Sequence, residues 1–348
     1  MNLNRFSTLF LANGQKVKNR VVIPAMASET ANHDGFATEN TYNHYQGLAQ
    51  AMAGILFVEY CYVHPSGRSE KNQLGIYNDK QISGLSKIAQ IIKSQGTLAG
   101  IQLNHSGGKT HLEFSSGYLM TPSKISVPTK DQTLEIGNEM SQEEINLWKI
   151  HFIQSASRAV EAGFDVIEIH AAHGYGLNQW LSPITNLRKD EYGGNQIKRT
   201  KLLLEILIPI RKKYPTILLS VRIPGQDFLE NGITLKDSQF IAKSCQEIGV
   251  DIINVSSGIG GWKRPKSRRG QGYLTVESKK IQSVINIPVI GVGGIKDGEF
   301  IDRGIKNKLF SLAAVGRAIL NSPKEWGEQN LTIKGLELYE SAKKNDGN

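Results

Sequence analysis

His170 and His173 stand three residues apart around two alanines, with Gly174 and Tyr175 directly behind them. That spacing lets one tight turn aim both imidazoles and a phenol into a single space. Two neutral N–H donors can hold a carbonyl oxygen through two hydrogen bonds, while a phenol with an unperturbed pKa near ~10 keeps a proton available for delivery. The same residues also suit a purely structural part, a histidine pair capping the helix expected near Leu177. Immediately upstream, Val166, Ile167 and Ile169 form an apolar run that reads as a buried parallel strand, and polarity changes at His170.

A strand that delivers chemistry at its carboxyl end needs a scaffold of similar strands. Short β-branched runs occur at 20–26, 55–59, 98–103, 165–170, 217–222, 251–256, 288–291 and 311–315. Amphipathic helical patterns alternate with them at 39–52, 81–95, 142–162, 196–213, 235–248, 274–285, 298–305 and 323–329. Such alternation implies parallel strands with crossover helices, and eight units in 348 residues fit a TIM (β/α)8 barrel, a fold of typically about 250 residues, with insertions. A doubly wound open sheet is the runner-up. It is disfavoured because no strand leads into a GxGxxG turn and because polar residues recur at most strand ends. The chain is read as one domain over 1–348, with the barrel at about 18–330 and a tail at 331–348. The longest connection, Thr110 to Ser141, follows the third strand and is rich in Gly, Pro and Ser, as a lid or rim element on the catalytic face would be.

In a barrel, the chemistry projects from the carboxyl ends of the strands. Those ends carry Met26, Glu59 with Tyr60, Gln102 with His105, His170 with His173, Arg222, Ser256 with Ser257, Gly293 with Gly294, and Gly316 with Arg317. The turns GVGGI and AVGRA can present backbone N–H groups to a phosphate, and Arg317 adds a fixed cation. The plainer reading is that these glycines only close tight turns. Composition narrows the options further. The net charge of +9 suits anionic ligands, but no basic run is interleaved with aromatics, so nucleic acid is not an expected partner. Only Cys61 and Cys245 are present, far apart, which leaves no disulfide framework or metal cluster, and any redox chemistry must come from an organic cofactor. No apolar run approaches the roughly 20 residues of a membrane span, so a cytoplasmic chain with no membrane partner is expected. The densest basic run, Lys263, Arg264, Lys266, Arg268 and Arg269, follows the sixth strand. It suits either an anion site at the rim, for nicotinamide or acyl-CoA phosphates, or a solvated mobile loop.

Several motifs resemble those of the old yellow enzyme family of FMN-dependent oxidoreductases, in particular its bacterial single-barrel ene-reductases. The match runs from KNRVVIPAM at Lys18 to VGRAILNSP ending at Pro323, and its strongest block is FDVIEIHAAHGYGLNQWLSPITNLRKDEYGG, Phe164 to Gly194. HPSGR (His64 to Arg68), GIQLNHSGG (Gly100 to Gly108), VRI (Val221 to Ile223) and NVSSG (Asn254 to Gly258) add to it. The resemblance implies FMN held by Pro24, Ala25, Met26, Tyr60, Gln102, Arg222, Gly293, Gly294, Gly316 and Arg317. Gln102 would meet the flavin pyrimidine edge, Arg222 would lie beside N1 and O2, and Met26 would pack on the ring. It also implies a ping-pong cycle with NADPH or NADH as donor and an activated alkene, an α,β-unsaturated carbonyl compound, as acceptor. His170 and His173 would bind the carbonyl and Tyr175 would protonate the α-carbon.

Departures from the family pattern bear on redox potential and substrate size. Ala27 stands where relatives place a cysteine or threonine, Tyr60 replaces a small residue, and Gly108 replaces an arginine. The tail has no arginine of the kind some relatives insert into a partner's site, so a shared dimeric site is not expected, although a homo-oligomer remains compatible. Two other readings stay open, a flavin barrel that oxidises a hydroxy acid or dihydroorotate, and a non-catalytic FMN redox sensor.

Overall fold

The structure is a computed structural model that describes residues 3–131 and 133–332, so all but the first two residues of the tail read at 331–348 lie outside it. Eight parallel strands close into a barrel in sequential order: β1 (Val21–Ile23), β2 (Ile55–Tyr62), β3 (Leu98–Asn104), β4 (Val166–His170), β5 (Leu218–Pro224), β6 (Ile252–Ser256), β7 (Val289–Gly291) and β8 (Leu312–Ala314). Around it lie α1 (Glu39–Ala49), α2 (Ile82–Lys93), α3 (Gln142–Glu161), α4 (Gly176–Leu181), α5 (Gln196–Lys213), α6 (Leu235–Glu247), α7 (Thr275–Gln282), α8 (Gly298–Lys306), α9 (Arg317–Asn321) and α10 (Pro323–Leu331). The barrel expectation holds, and all eight expected strands form.

Strand alternation sorts the side chains into two cores. Ile167, Ile169, Leu219, Val221, Ile253 and Val255 face outward and pack on the helices. Val22, Ile55, Phe57, Val166, Leu218, Ile252, Ile290 and Leu312 fill the lower interior. Each such fully buried aliphatic side chain contributes about 1.5–3 kcal/mol. Gly100 has a steric reason for its place, because a Cβ there would come within 2.5 Å of the Phe57 ring. Below the strands, a hairpin of Leu9–Phe10 and Lys16–Val17 caps the barrel, with Leu11 and Val17 in the interior cluster. Its turn carries Asn13 and Gly14, and Gly14 has φ +83°, the left-handed conformation that Asn-Gly turns favour.

Higher in the barrel the interior turns polar. The inward positions of β4 run Val166, Glu168, His170; those of β5 run Leu218, Ser220, Arg222; and those of β6 run Ile252, Asn254, Ser256. Glu168 is fully buried and accepts from Gln102 Nε2 (2.7 Å), Ser220 Oγ (2.9 Å) and Asn254 Nδ2 (2.9 Å).

Strand β2 breaks its own alternation. Val58 pairs with Ile101 and Tyr60 with Gln102, so Glu59 is an extra residue in a β-bulge. Without it Tyr60 would face outward; the bulge turns Tyr60 toward the barrel mouth while Cys61 joins the outer core. Glu59 accepts from the Ser28 amide (3.2 Å) and hydroxyl (2.5 Å), tying down the segment after β1, and burial pushes its carboxyl up to about 7.

The connection between Thr110 and Ser141 is a stitched rim. It contains a small parallel pair, Met120–Thr121 with Asn138–Glu139, and Arg188 donates to the carbonyls of Pro122 (3.1 Å) and Met140 (2.8 Å). Ser141 opens α3 with a reciprocal cap to Glu144.

The shared acceptor in the barrel makes a stability prediction. Glu168→Ala strands three buried donors and should lower unfolding free energy by about 3–5 kcal/mol. Glu168→Gln keeps one acceptor oxygen and should cost clearly less. Urea unfolding at pH 7 measures both, and an unchanged alanine midpoint would show that the donors find other partners.

Candidate active site

Positive φ at His173 (+61°) and Gly174 (+76°) makes the sharp turn after β4. A left-handed histidine stores strain, and the surroundings hold it there. The His173 amide donates to Ser257 O (3.0 Å), and Lys109 Nζ donates to His173 O (2.6 Å). Gly174 N donates to Asn178 Oδ1 (2.7 Å). Gln179 joins this turn to the one after β3: its Nε2 donates to Gly174 O and Ser106 O, and its Oε1 accepts from Gly108 N. Gly107, at φ +60°, leaves no room for a side chain beside that amide.

The turn brings the histidines together. His170 Nε2 and His173 Nδ1 lie 3.2 Å apart, close enough to share one acceptor. Ser256 Oγ is 2.6 Å from His173 Nε2, and Arg222 Nη2 donates to the same hydroxyl at 3.3 Å. Since arginine can only donate, the serine proton is free to go to His173 Nε2, which places the ring proton on Nδ1, the atom facing His170. Burial first, then the positive charges of Arg222 and Lys109, hold both histidines well below their ordinary pKa. Both rings are neutral at pH 7, and each carries one N–H.

Tyr175 lies beside this pair, its ring centroid 5.3 Å from that of His170. Burial pushes its phenol up to about 12, so it is protonated at neutral pH. Lys109 Nζ sits 4.7 Å from the centre of the Tyr175 ring, and burial lowers this lysine to about 8. Tyr60 stacks on Tyr175 at 5.5 Å.

Next to Arg222, a cleft of about 540 Å³ is lined by Pro24, Ala25, Met26, Gly293, Gly294, Gly316 and Arg317 together with Lys296 and Tyr273. Eight of the ten residues expected at the cofactor, Arg222 included, thus share one cleft. Gln102 and Tyr60, paired across β2 and β3, are not among its lining residues. The donor set suits a flavin phosphate and an electron-rich ring edge. Among the described residues Arg222 Nε is buried without a partner, and Gln102, with one amide hydrogen committed to Glu168, keeps Oε1 and its other hydrogen. At the far end Arg317 and Lys296 flank turns with bare glycines. Gly293 has φ +126°, and a Cβ there would press to 3.0 Å on the amide nitrogens of Tyr273 and Leu274.

The basic run after β6 is not five equivalent cations. Arg268 is engaged by the fully buried Glu277 and by Tyr273 O (2.9 Å), and Arg264 lies 3.6 Å over the Tyr273 ring. These two arginines hold the loop against the cleft wall, so neither is a solvated cation of a mobile loop. Lys263, Lys266 and Arg269 are exposed. Sequence reasoning missed Lys109 and the part Ser256 plays in fixing the tautomer. Lys109 was in view, directly after the Gly107-Gly108 turn that ends the third strand's motif.

The family model described as the NADH:flavin oxidoreductase / NADH oxidase family matches residues 6–328. The NADPH dehydrogenase of Bacillus subtilis is 36% identical over 308 residues, covering 88% of each chain. Among solved structures, an old yellow enzyme homologue from Zymomonas mobilis superposes with a TM-score of 0.80 at 21% identity, over 95% of this chain and 96% of that one. A 2-naphthoyl-CoA reductase gives 0.88 at 22% identity over 94% of this chain, which spans 52% of that longer protein. The chain therefore belongs to the NADH:flavin oxidoreductase / NADH oxidase family, of the old yellow enzyme type, and is an NAD(P)H-dependent flavin oxidoreductase with FMN as its cofactor.

Proposed function

We propose that the protein reduces activated alkenes, α,β-unsaturated carbonyl compounds, with NADPH or NADH as the electron source. The observation that carries this reading is the pair of neutral imidazoles, His170 and His173, set beside a protonated phenol and next to the Arg222 cleft. Bound FMN would supply the hydride chemistry, with the nicotinamide as its source and the alkene β-carbon as its destination, so the two substrates would use the site in turn.

The chain's own residues do the rest. Pro24, Ala25, Met26, Gln102 and Arg222 would hold the flavin ring, Tyr60 would border it, and Gly293, Gly294, Gly316 and Arg317 would hold its phosphate. His170 and His173 bind the substrate carbonyl oxygen. Because both are neutral, their hydrogen bonds strengthen as negative charge builds on that oxygen, which is the condition for accelerating the chemical step. The Arg222–Ser256 chain keeps His173 in the donor tautomer throughout. Tyr175 delivers the proton to the α-carbon.

Oxidation of a hydroxy acid would need a base beside the substrate, and neutral imidazoles could serve as one. The protonated phenol favours the reductive direction, because it is poised to give a proton and not to take one.

Removing one carbonyl donor, His170→Ala or His173→Ala, should slow enone reduction by roughly 100- to 1000-fold, the value of a single oxyanion donor. FMN, read by its absorbance, should stay bound because the cleft is untouched. Wild-type turnover of cyclohexenone by the double variant would remove the pair from the mechanism.

Tyr175→Phe should separate the two half-reactions in stopped flow. Enone-driven reoxidation should slow by about 100-fold or more, while reduction by NADPH stays close to wild type. Equal losses in both would reduce Tyr175 to a residue that shapes the site.

A further inference from the structure

Buried polar side chains in a folded protein almost always have hydrogen-bond partners, so one that lacks them at a barrel mouth marks a place that a ligand completes. Asn104, the last residue of β3, is such a side chain. It is fully buried, and among the described residues neither its Oδ1 nor its Nδ2 has a partner. Its polar neighbours on this strand end are engaged. Gln102 Nε2 donates to Glu168, while His105 Nδ1 accepts from Gly107 N (3.0 Å) and His105 Nε2 lies 3.1 Å from Ser66 Oγ.

Alternation along β3 fixes the side that Asn104 faces. Ala99, Ile101 and Leu103 belong to the outer core, whereas Gly100 lies against the interior Phe57 ring and Gln102 bonds the central carboxylate. Asn104 is the next inward position. Register fixes its height: Gln102 pairs with Glu168 and Leu103 with Ile169, so the following step on β4 is His170, which itself pairs with Arg222 on β5. Asn104 therefore flanks His170 on the side opposite Arg222. Buried atoms without partners run across all three strands at this level: both amide atoms of Asn104, His170 Nδ1 and Arg222 Nε.

The electron donor carries a group of matching chemistry. The nicotinamide ring of NADPH or NADH bears a carboxamide, whose carbonyl oxygen is an acceptor of the kind the imidazole pair binds and whose N–H groups project beside it. An N–H buried in this layer needs an acceptor, and the Asn104 amide oxygen is an uncommitted one next to the histidines.

We propose that Asn104 is a recognition residue for the cosubstrate, accepting an N–H of the nicotinamide carboxamide while His170 and His173 hold its carbonyl oxygen. This rests on the reading of the histidine pair as a carbonyl site. The recognised chemistry is a carbonyl with an N–H on the adjoining atom, which an unsaturated imide also offers, and the experiment separates the two sources.

The acetylpyridine analogue of NADPH replaces the carboxamide NH2 by CH3 and keeps the carbonyl. Asn104→Leu removes the acceptor at similar size, and Asn104→Ala does so without adding bulk to the strand. In stopped-flow reduction of the holoenzyme, each variant should raise the Kd of NADPH by roughly 10- to 100-fold. NADH, with the same carboxamide, should weaken by the same factor, and the acetylpyridine analogue by less than about three-fold. Comparing each donor with itself cancels the differing reducing power of the analogues. The redox-inert tetrahydro form of NADP, titrated through the flavin absorbance, should show the same loss at equilibrium, and FMN should stay bound at full occupancy. Equal weakening of NADPH and its acetylpyridine analogue, unchanged binding of both, or loss of FMN would overturn the proposal. So would a loss confined to maleimide relative to N-methylmaleimide, which would give the contact to the other substrate. Wild-type affinity for tetrahydro-NADP in a variant lacking both His170 and His173 would instead overturn the carbonyl reading beneath it.

Discussion

One carboxylate inside the barrel organises everything above it. Taking Glu168 out of water costs several kcal/mol, and the barrel offsets this with three hydrogen bonds drawn from three other strands. Those bonds fix Gln102 on β3, Ser220 on β5 and Asn254 on β6, so one anion sets the relative height of four strands. The layer above then has little freedom. His170, Arg222 and Ser256 are the next inward positions of β4, β5 and β6, and the negative charge of Glu168 acts on the buried Arg222 from below. Arg222 can therefore stand beside two histidines without an ion pair at its own level.

Regular secondary structure supplies the frame, and departures from it aim the reactive groups. A strict alternation along β2 would have turned Tyr60 toward the helices; the single extra residue, Glu59, reverses it. A relaxed backbone after β4 would spread the two imidazoles apart; the left-handed His173 folds them to 3.2 Å. Each departure is held by bonds that cross between elements, Glu59 to Ser28 and Tyr45 in one case, His173 to Ser257 and Lys109 in the other.

The strands were readable because their apolar runs are short and bounded, and the barrel was readable because eight of them alternate with helices. His170, His173 and Tyr175 were readable from spacing alone as a possible group, since three residues in one turn cannot lie far apart. What stayed hidden depends on long-range pairing. Nothing local in the sequence marks Glu59 as a bulge, because the slip exists only relative to β3. Nor does it show that Arg268 belongs to Glu277, or that Ser256, 83 residues from His173, decides where that ring carries its proton. The basal hairpin was different: Asn13-Gly14 between Leu11 and Val17 is a local turn signal, passed over because its strands are only two residues long.

The charges around His170, His173 and Tyr175 are placed so that each keeps the protonation state that the proposed alkene reduction needs. Burial, and then the charges of Arg222 and Lys109, push the histidine pKa values down, which keeps the rings neutral and able to strengthen their bonds as charge grows on an oxygen. Burial, and then the negative charge of Glu70 on the other side, push the Tyr175 phenol up, which keeps it protonated until an acceptor more basic than water arrives. Exchanging the two signs would work against burial at both: an anion near the histidines would favour imidazolium, and a strong cation bonded to the phenol would favour its early ionisation. Lys109 contacts both groups, and it satisfies both requirements by position. It acts on the imidazoles as a charge and on Tyr175 through the ring face, where a cation is attracted to the π-system and does not bond the oxygen.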